Sequence, residues 1–371
     1  MPLVATNAIR AASRRARDRA RLAMFFAALA VKEKIAPGLH VRPLVAELFL
    51  TDNCNLRCVS CACWRTRTRG ELSTEEWRGV IDQLAALGFL KLNFTGGEPL
   101  LRRDAVALLS YARDAGVPEL HLNTNAILLD AARMDEVLAA GVRSFNVSVD
   151  ASRSELHDDL RGRAGAFDRT MEALQMLVAR RESHRLRIRM NFTVLRRNVR
   201  DLPEIARLAQ RLQVQLYLNL GSDQTFHFRH DAVSGEVAVD RTELSRALGE
   251  VEAIVRADSR WLPRFSDLRY IPKHFQEIVQ KDLPCAESQL KLMVHSTGEV
   301  GGCWGHGAAA NVRTQAIAAI IDHPDYRALQ ARLFRKDCVG CGSNYSLNLR
   351  WRPRTYWDNA MFRLGLTSLA E

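Results

Sequence analysis

The chain has 371 residues, 47% hydrophobic and 26% charged, enough apolar material for one large α/β domain and a smaller one; it contains no low-complexity block. The net charge is +11, but residues 1–45 hold nine Lys or Arg against only Asp18 and Glu33, so +7 of it is N-terminal. No aromatic residues alternate with these basic ones as a base-stacking surface would require, which argues against nucleic acid as a partner.

Arg10, Arg14, Arg15, Arg17, Arg19 and Arg21 precede the ten-residue apolar run Leu22–Val31. That run is well short of the roughly 17 to 25 residues needed to cross a bilayer. Lys32, Glu33 and Lys34 follow at once without a small-residue cleavage site, against an export signal. Two readings remain open. A basic helix over residues 10–31 can lie on an anionic membrane surface with Phe25 and Phe26 against lipid, or it can pack its apolar side on the protein with its arginines in water. The expected location is the cytoplasm, with peripheral contact at the inner membrane surface on the first reading.

The apolar run 45–50 reads as a first strand, and Cys54, Cys58 and Cys61 follow it with three and then two residues between them. Three thiolates at this spacing can bind three irons of a 4Fe-4S cubane and leave the fourth open to a chelating small molecule. Structural zinc is the competing use, and Cys63 is its nearest fourth ligand, but Cys63 lies closer to Cys61 than zinc pairs usually do.

Ser73 and Glu76 form a capping box ahead of a helix over 75–86 that stops at Gly88. A second strand near 90–94 runs into Thr95, Gly96, Gly97, Glu98 and Pro99, where two glycines allow close backbone approach and a carboxylate can meet an ammonium. Helices over 104–115 and 129–140 end at Gly116 and Gly141, and further strands are expected near 119–123, 143–149, 186–194 and 214–219. Repeated strand–helix units of this kind predict an α/β fold, a partial (β/α)6 TIM-like barrel, to which only the resemblance of the later cysteines adds a small C-terminal iron-sulfur domain. Ligands to such sheets collect at the carboxyl ends of the strands, where Asn123, Thr124, Asn125, Asn146, Ser148, Asp150, Asn191 and Thr193 fall. Each of these residue types also serves ordinary turns.

Together the cysteine triad and the Gly-Gly-Glu-Pro turn resemble the radical S-adenosylmethionine (SAM) enzymes over about residues 44–220. The resemblance implies that Cys54, Cys58 and Cys61 hold a 4Fe-4S cluster whose open iron binds the amino and carboxylate groups of SAM. One electron then cleaves SAM to methionine and a 5′-deoxyadenosyl radical, which abstracts hydrogen from substrate. It further implies a flavodoxin or ferredoxin-type electron donor. Gly96, Gly97, Glu98 and Pro99 are expected at the methionine end of SAM, with Ser148 and Arg161 near its carboxylate and ribose and Asn123 and Asn191 as further contacts.

Four cysteines remain. Cys285 and Cys303 flank an expected hairpin, with Leu290–Val294 apolar, a turn at Ser296-Thr297-Gly298 and a return over Glu299–Gly302, and Cys338 and Cys341 close as Cys-x-x-Cys. Four such thiolates can hold zinc. They also resemble the Twitch and SPASM auxiliary-cluster extensions, and with no cysteine after Cys341 the match is to the single-cluster Twitch type. A second, fully ligated 4Fe-4S cluster offers no vacant iron and suits electron transfer. The expected division is a basic N-terminal helical extension at 1–43, a radical SAM core at 44–220, a helical connection at 221–284, an auxiliary-cluster domain at 285–345 and a tail at 346–371.

An oxidised auxiliary cluster can accept the second electron of a net two-electron oxidation. The expected substrate is a small polar metabolite, a sugar or aminocyclitol alcohol, by likeness to a Twitch-type alcohol dehydrogenase. The alternatives are maturation of a ribosomally made peptide, modification of a lipid and, outside catalysis, an iron-sulfur scaffold. Residues 221–230, Tyr270, His274, Trp304 and His306 are candidate substrate anchors, and none is assigned a catalytic role.

Overall fold

The structure, a computed structural model, describes residues 2–65, 68–221, 236–276, 284–303, 308–337, 353–364 and 367–368. After helix α1 (Pro2–Lys34), strands β1 (Val45–Thr51), β2 (Lys91–Gly96), β3 (Glu119–Thr124), β4 (Ser144–Ser148), β5 (Arg187–Val194) and β6 (Gln215–Leu220) alternate with helices. The helices between them are α2 (Thr74–Ala86), α3 (Ala105–Asp114), α4 (Ala131–Ala139), α5 (Ser154–Arg161), α6 (Ala166–Ala179), α7 (Arg181–His184) and α8 (Leu202–Leu212). These six strands pair in parallel in chain order, the arrangement expected of a partial barrel.

Side chains alternate across a strand, and here the alternation separates apolar from polar. Leu92 and Phe94, Leu120 and Leu122, Phe145 and Val147, and Met190 and Phe192 join the core packed with the helices. Asn93, His121, Asn146 and Asn191 fall between them on the other face. Ser73 caps α2 as expected, accepting from Glu76 N at 3.2 Å while its own N donates to Glu76 Oε2 at 2.7 Å. Asp104 does not cap α3; its carboxylate instead takes Arg102 Nε at 2.7 Å and Thr74 Oγ1 at 2.6 Å. Helix α4 begins two residues later than expected because Asp130 caps it, accepting from Arg133 N at 2.8 Å.

Beyond the barrel lie α9 (Arg241–Ala257), α10 (Phe265–Gln276), α11 (Glu287–Leu290), β7 (Lys291–Val294), β8 (Glu299–Gly301), β9 (Ala310–Asn311), α12 (Ile317–Asp322), α13 (Pro324–Phe334) and α14 (Pro353–Arg363). The expected hairpin forms as β7 and β8, turning at Gly298 with φ +89°. It is not set apart from the barrel. Strand β7 pairs in parallel with the free edge of β1, giving a nine-stranded sheet in the order β6-β5-β4-β3-β2-β1-β7-β8-β9. Leu72 N donates to Ser296 O at 2.6 Å, Ile317 N to Gln83 Oε1 at 2.8 Å, and Arg313 grips Glu76 at 2.6 Å, so the hairpin is moored to α2 as well.

Helix α1 also joins the two parts. Phe25 and Leu29 are buried with Val41, Leu44, Ala286, Leu290 and Phe334, and Lys32 Nζ donates to Leu39 O at 2.5 Å. Of the two readings left open for this helix, Phe25 follows the packing one: its position on the helix turns it toward Leu44 and Phe334.

Between β1 and β7, Lys291 Nζ lies 2.5 Å from Glu47 Oε1 and 2.6 Å from Glu287 Oε1. Burial alone would push the Lys291 pKa down, but the carboxylates of Glu287 and Glu47 hold it above its ordinary value. Removing the cation leaves two buried carboxylates without a counter-charge. Lys291→Met is expected to destabilise the fold by about 3–5 kcal/mol in chemical denaturation, and an unchanged midpoint would show that the ion triad does not hold β7 on β1.

Candidate active site

The loop after β1 carries the first three cysteines, and backbone contacts fix its path across the strand ends. Gly97 N donates to Thr51 O at 2.7 Å and Glu98 N to Asn53 O at 2.8 Å. Farther along, Asn125 Nδ2 donates to Asn55 Oδ1 at 2.7 Å, Arg57 N to Arg161 O at 3.0 Å and Val59 N to Leu160 O at 2.9 Å. The loop thus passes from β1 along the ends of β2 and β3 to the end of α5. Glycine is required at both anchors. A Cβ on Gly97 would meet Asn53 O at 2.1 Å; one on Gly162, whose φ is +63°, would meet Arg57 O at 2.5 Å. Gly96, with φ +131°, likewise leaves no room beside Thr51 O.

This path gathers Cys54, Cys58 and Cys61 into one small cluster with Leu56, Ile127 and Ala166. Burial pushes the Cys54 thiol up to about 12 and the Cys58 thiol up to about 11, the latter despite the neighbouring Arg161. The Cys61 thiol is lowered to about 7, first through its hydrogen bond with Cys63. Arg161 Nη1 is 3.8 Å from Cys58 Sγ, and its Nη2 pairs with Asp150 Oδ2 at 2.7 Å. Asp150 is itself held by Thr193 N at 2.9 Å, while Asp150 N donates to His157 Nδ1 at 3.2 Å.

The Glu98 carboxylate is bound within the protein. Its side chain is fully buried and accepts from Leu100 N at 3.1 Å, Asn125 N at 2.8 Å and Thr124 Oγ1 at 2.9 and 3.0 Å. Burial raises its pKa to about 7. It ties the end of β2 to the end of β3, while Pro99 opens the short 3-10 turn Pro99–Leu101. Asn123 Oδ1 lies 3.2 Å from His121 Nε2. Ser148 and Asn191 are register partners at the ends of β4 and β5.

The residues present fit an iron-sulfur cluster with a polar ligand beside it. The donor set is three thiols in an apolar pocket: burial raises the Cys54 and Cys58 thiols while the hydrogen bond with Cys63 lowers Cys61, and metal binding ionises such thiols. Among the described residues no three Cys, His, Asp or Glu side chains converge on one ion-sized point, whereas a cubane places each thiolate on a different iron. Asn146 Oδ1, Asn191 Oδ1, Arg161 Nε and Asn55 Nδ2 are buried without a hydrogen-bond partner, the kind of atoms that a polar ligand satisfies.

At the back, Cys285 N donates to Phe334 O at 3.0 Å, placing Cys285 at the end of α13, four residues ahead of Cys338. Gly302, next to Cys303, packs toward Ser288 and Leu333 at the same end. Cys338, Cys341, Trp304, His306 and residues 222–230 lie outside the described residues. Tyr270 is buried, and His274 Nε2 is 2.9 Å from Gly221 O. Sequence reasoning missed Asn55, Gly162 and the tie from Asp150 to Arg161. The only local signal was the glycine directly after Arg161, the usual helix-ending residue.

Residues 48–209 match the family model described as the Radical SAM superfamily. Among curated proteins, the chain is 38% identical over 170 residues to an AdoMet-dependent heme synthase of Methanosarcina barkeri, covering 45% of this chain and 47% of that protein. It is 34% identical over 172 residues to a PqqA peptide cyclase of Rhodopseudomonas palustris, covering 46% and 44%. The chain thus spans about half the length of the curated relatives it matches. Among solved structures, Streptococcus suis SuiB bound to precursor peptide SuiA aligns with TM-score 0.61 and 16% identity over 78% of this chain and 67% of that one. The enzyme anSMEcpe with bound AdoMet aligns with TM-score 0.62 and 14% identity over 87% and 97%; at such identities the likeness is one of fold. The stretch that matches the Radical SAM model carries the cysteine loop and strands β2 to β5 of the parallel sheet.

Proposed function

We propose that the chain is an enzyme that reductively cleaves SAM and uses the resulting radical to oxidise a peptide substrate. The observation that carries the first part is the glycine-clamped loop that brings Cys54, Cys58 and Cys61 into one buried pocket beside Arg161. A bound cluster and SAM would supply the electron and the 5′-deoxyadenosyl radical that takes a hydrogen atom from substrate. In this reading Cys54, Cys58 and Cys61 hold the cluster, and the Gly96–Gly97 backbone lies along the methionine end of SAM. Ser148, Asn123, Asn191 and Arg161 meet its polar groups. Arg161, oriented by Asp150, adds positive charge next to the Cys58 sulfur and favours the thiolate. Glu98 shapes the turn from within.

The comparisons lend no support to the sugar or aminocyclitol alcohol expected from the sequence. A peptide is favoured instead because a PqqA peptide cyclase is among the curated relatives and the SuiB structure holds a precursor peptide in a related fold. The shared core by itself does not distinguish peptide from tetrapyrrole chemistry, since the heme synthase match covers a similar stretch. Cys285, Cys303, Cys338 and Cys341 would hold an auxiliary 4Fe-4S cluster that accepts the second electron, and a flavodoxin or ferredoxin-type protein would deliver the first. Residues 285–345 would then work as the auxiliary-cluster unit, coupled to the barrel through β7.

Three variants test this reading. Replacing Cys54, Cys58 and Cys61 together with Ala should lower iron from about eight to about four atoms per chain and abolish formation of 5′-deoxyadenosine; cleavage that persisted would remove the front site from the mechanism. Gly162→Ala forces an L-residue into the left-handed region against a backbone carbonyl, a strain of about 1–3 kcal/mol, and is expected to release the front cluster on gel filtration without unfolding the chain. Full retention of iron would show that the contact from α5 does not hold the loop. Replacing Cys338 and Cys341 with Ala should leave SAM cleavage intact and stop product formation, and oxidised product at the normal rate would show that the back cysteines accept no electron.

A further inference from the structure

We infer that helix α1 docks the protein on an anionic lipid bilayer, lying along its surface. One side of the helix is committed to the protein through Phe25, Leu29 and Lys32, all buried. Another side is apolar and open: Met24 is 71% exposed, Ile35 77% and Val31 39%. Met24, Ala27, Val31 and Ile35 follow one another at intervals of three and four residues, so they form a single stripe about 17 Å long at the helical rise. Ala20 and Ala27, exposed on that stripe, add no polar group to it.

The charges around this stripe select the partner. Arg17 and Arg19 are exposed on α1, whereas Asp18 is half-buried and Glu33, with 16% of its side chain exposed, pairs with Lys34 at 3.6 Å. Upstream, the same helix carries Arg10, Arg14 and Arg15. Apolar side chains flanked by arginines match the two layers of a bilayer surface, acyl chains below and phosphates above. A second copy of this chain would bring the same arginines face to face, which like charges oppose. Crossing the bilayer is not involved, since no helix among the described residues is long and apolar enough.

Co-sedimentation of the full chain with vesicles tests this. Binding to phosphatidylglycerol-rich vesicles, weak binding to pure phosphatidylcholine and loss of binding as salt rises are expected. Met24→Glu with Val31→Glu, and separately Arg17→Glu with Arg19→Glu, should each weaken binding by about tenfold or more. These residues are exposed and far in sequence from the cysteine loop, so both variants should keep the wild-type melting temperature and SAM cleavage. Failure of the wild type to bind anionic vesicles, or binding by both variants as tight as that of the wild type, would overturn the inference. So would a dimer that the Met24/Val31 variant dissociates, appearing without vesicle binding, which would assign the stripe to a second copy.

Discussion

Close approach of two backbones is the constraint on which the site depends. The loop bearing Cys54, Cys58 and Cys61 has no regular structure of its own, and it is held where Gly97 and Gly162 let its carbonyls come nearer than any Cβ would allow. These two glycines belong to separate elements, one at the end of β2 and the other just past α5. Their contacts coincide only because parallel pairing brings the ends of all six strands to one side. The sheet is therefore what makes the loop a site, and the loop is what gives the sheet a chemical role.

Packing energetics separate the two faces of that sheet. The helix-facing residues bury apolar side chains, each worth about 1.5–3 kcal/mol when fully withdrawn from water, and so stabilise the barrel. The inner face instead carries Asn, His, Arg and Glu side chains, which cost stability unless each finds a partner. Lys291 pairs with Glu47 and Glu287, and His121 bonds with Ser144 and Asn123. Asn146 and Asn191 keep an unpartnered carbonyl each.

The C-terminal segment reaches this site through the sheet rather than through a linker. Strand β7 extends the barrel beyond β1, and Arg313 locks the segment to the capping box of α2, where Glu76 serves both the helix end and the guanidinium. The Cys285 backbone is thereby tied to the last residue of α13. This connection also explains why α1 can pack against Leu44 and Phe334 at once.

Local signals in the sequence determined what depends on local chemistry. The strands emerged from period-two and apolar patterns, α2 from Ser73 and Glu76, the helix ends from Gly88, Gly116 and Gly141, and the cysteine triad from spacing. Helix α3 starts one residue after the expected 104, where the Asp104 carboxylate is claimed by Arg102 and by Thr74, which is distant in sequence. Only the tertiary structure decided that Glu98 turns inward, that Phe25 faces protein and that β7 joins β1. It also showed that Gly162, more than a hundred residues after Cys54, holds the cysteine loop. Such pairings are set by long-range packing and by which hydrogen-bond donors meet which buried acceptors, and neither is written in the residues adjacent along the chain.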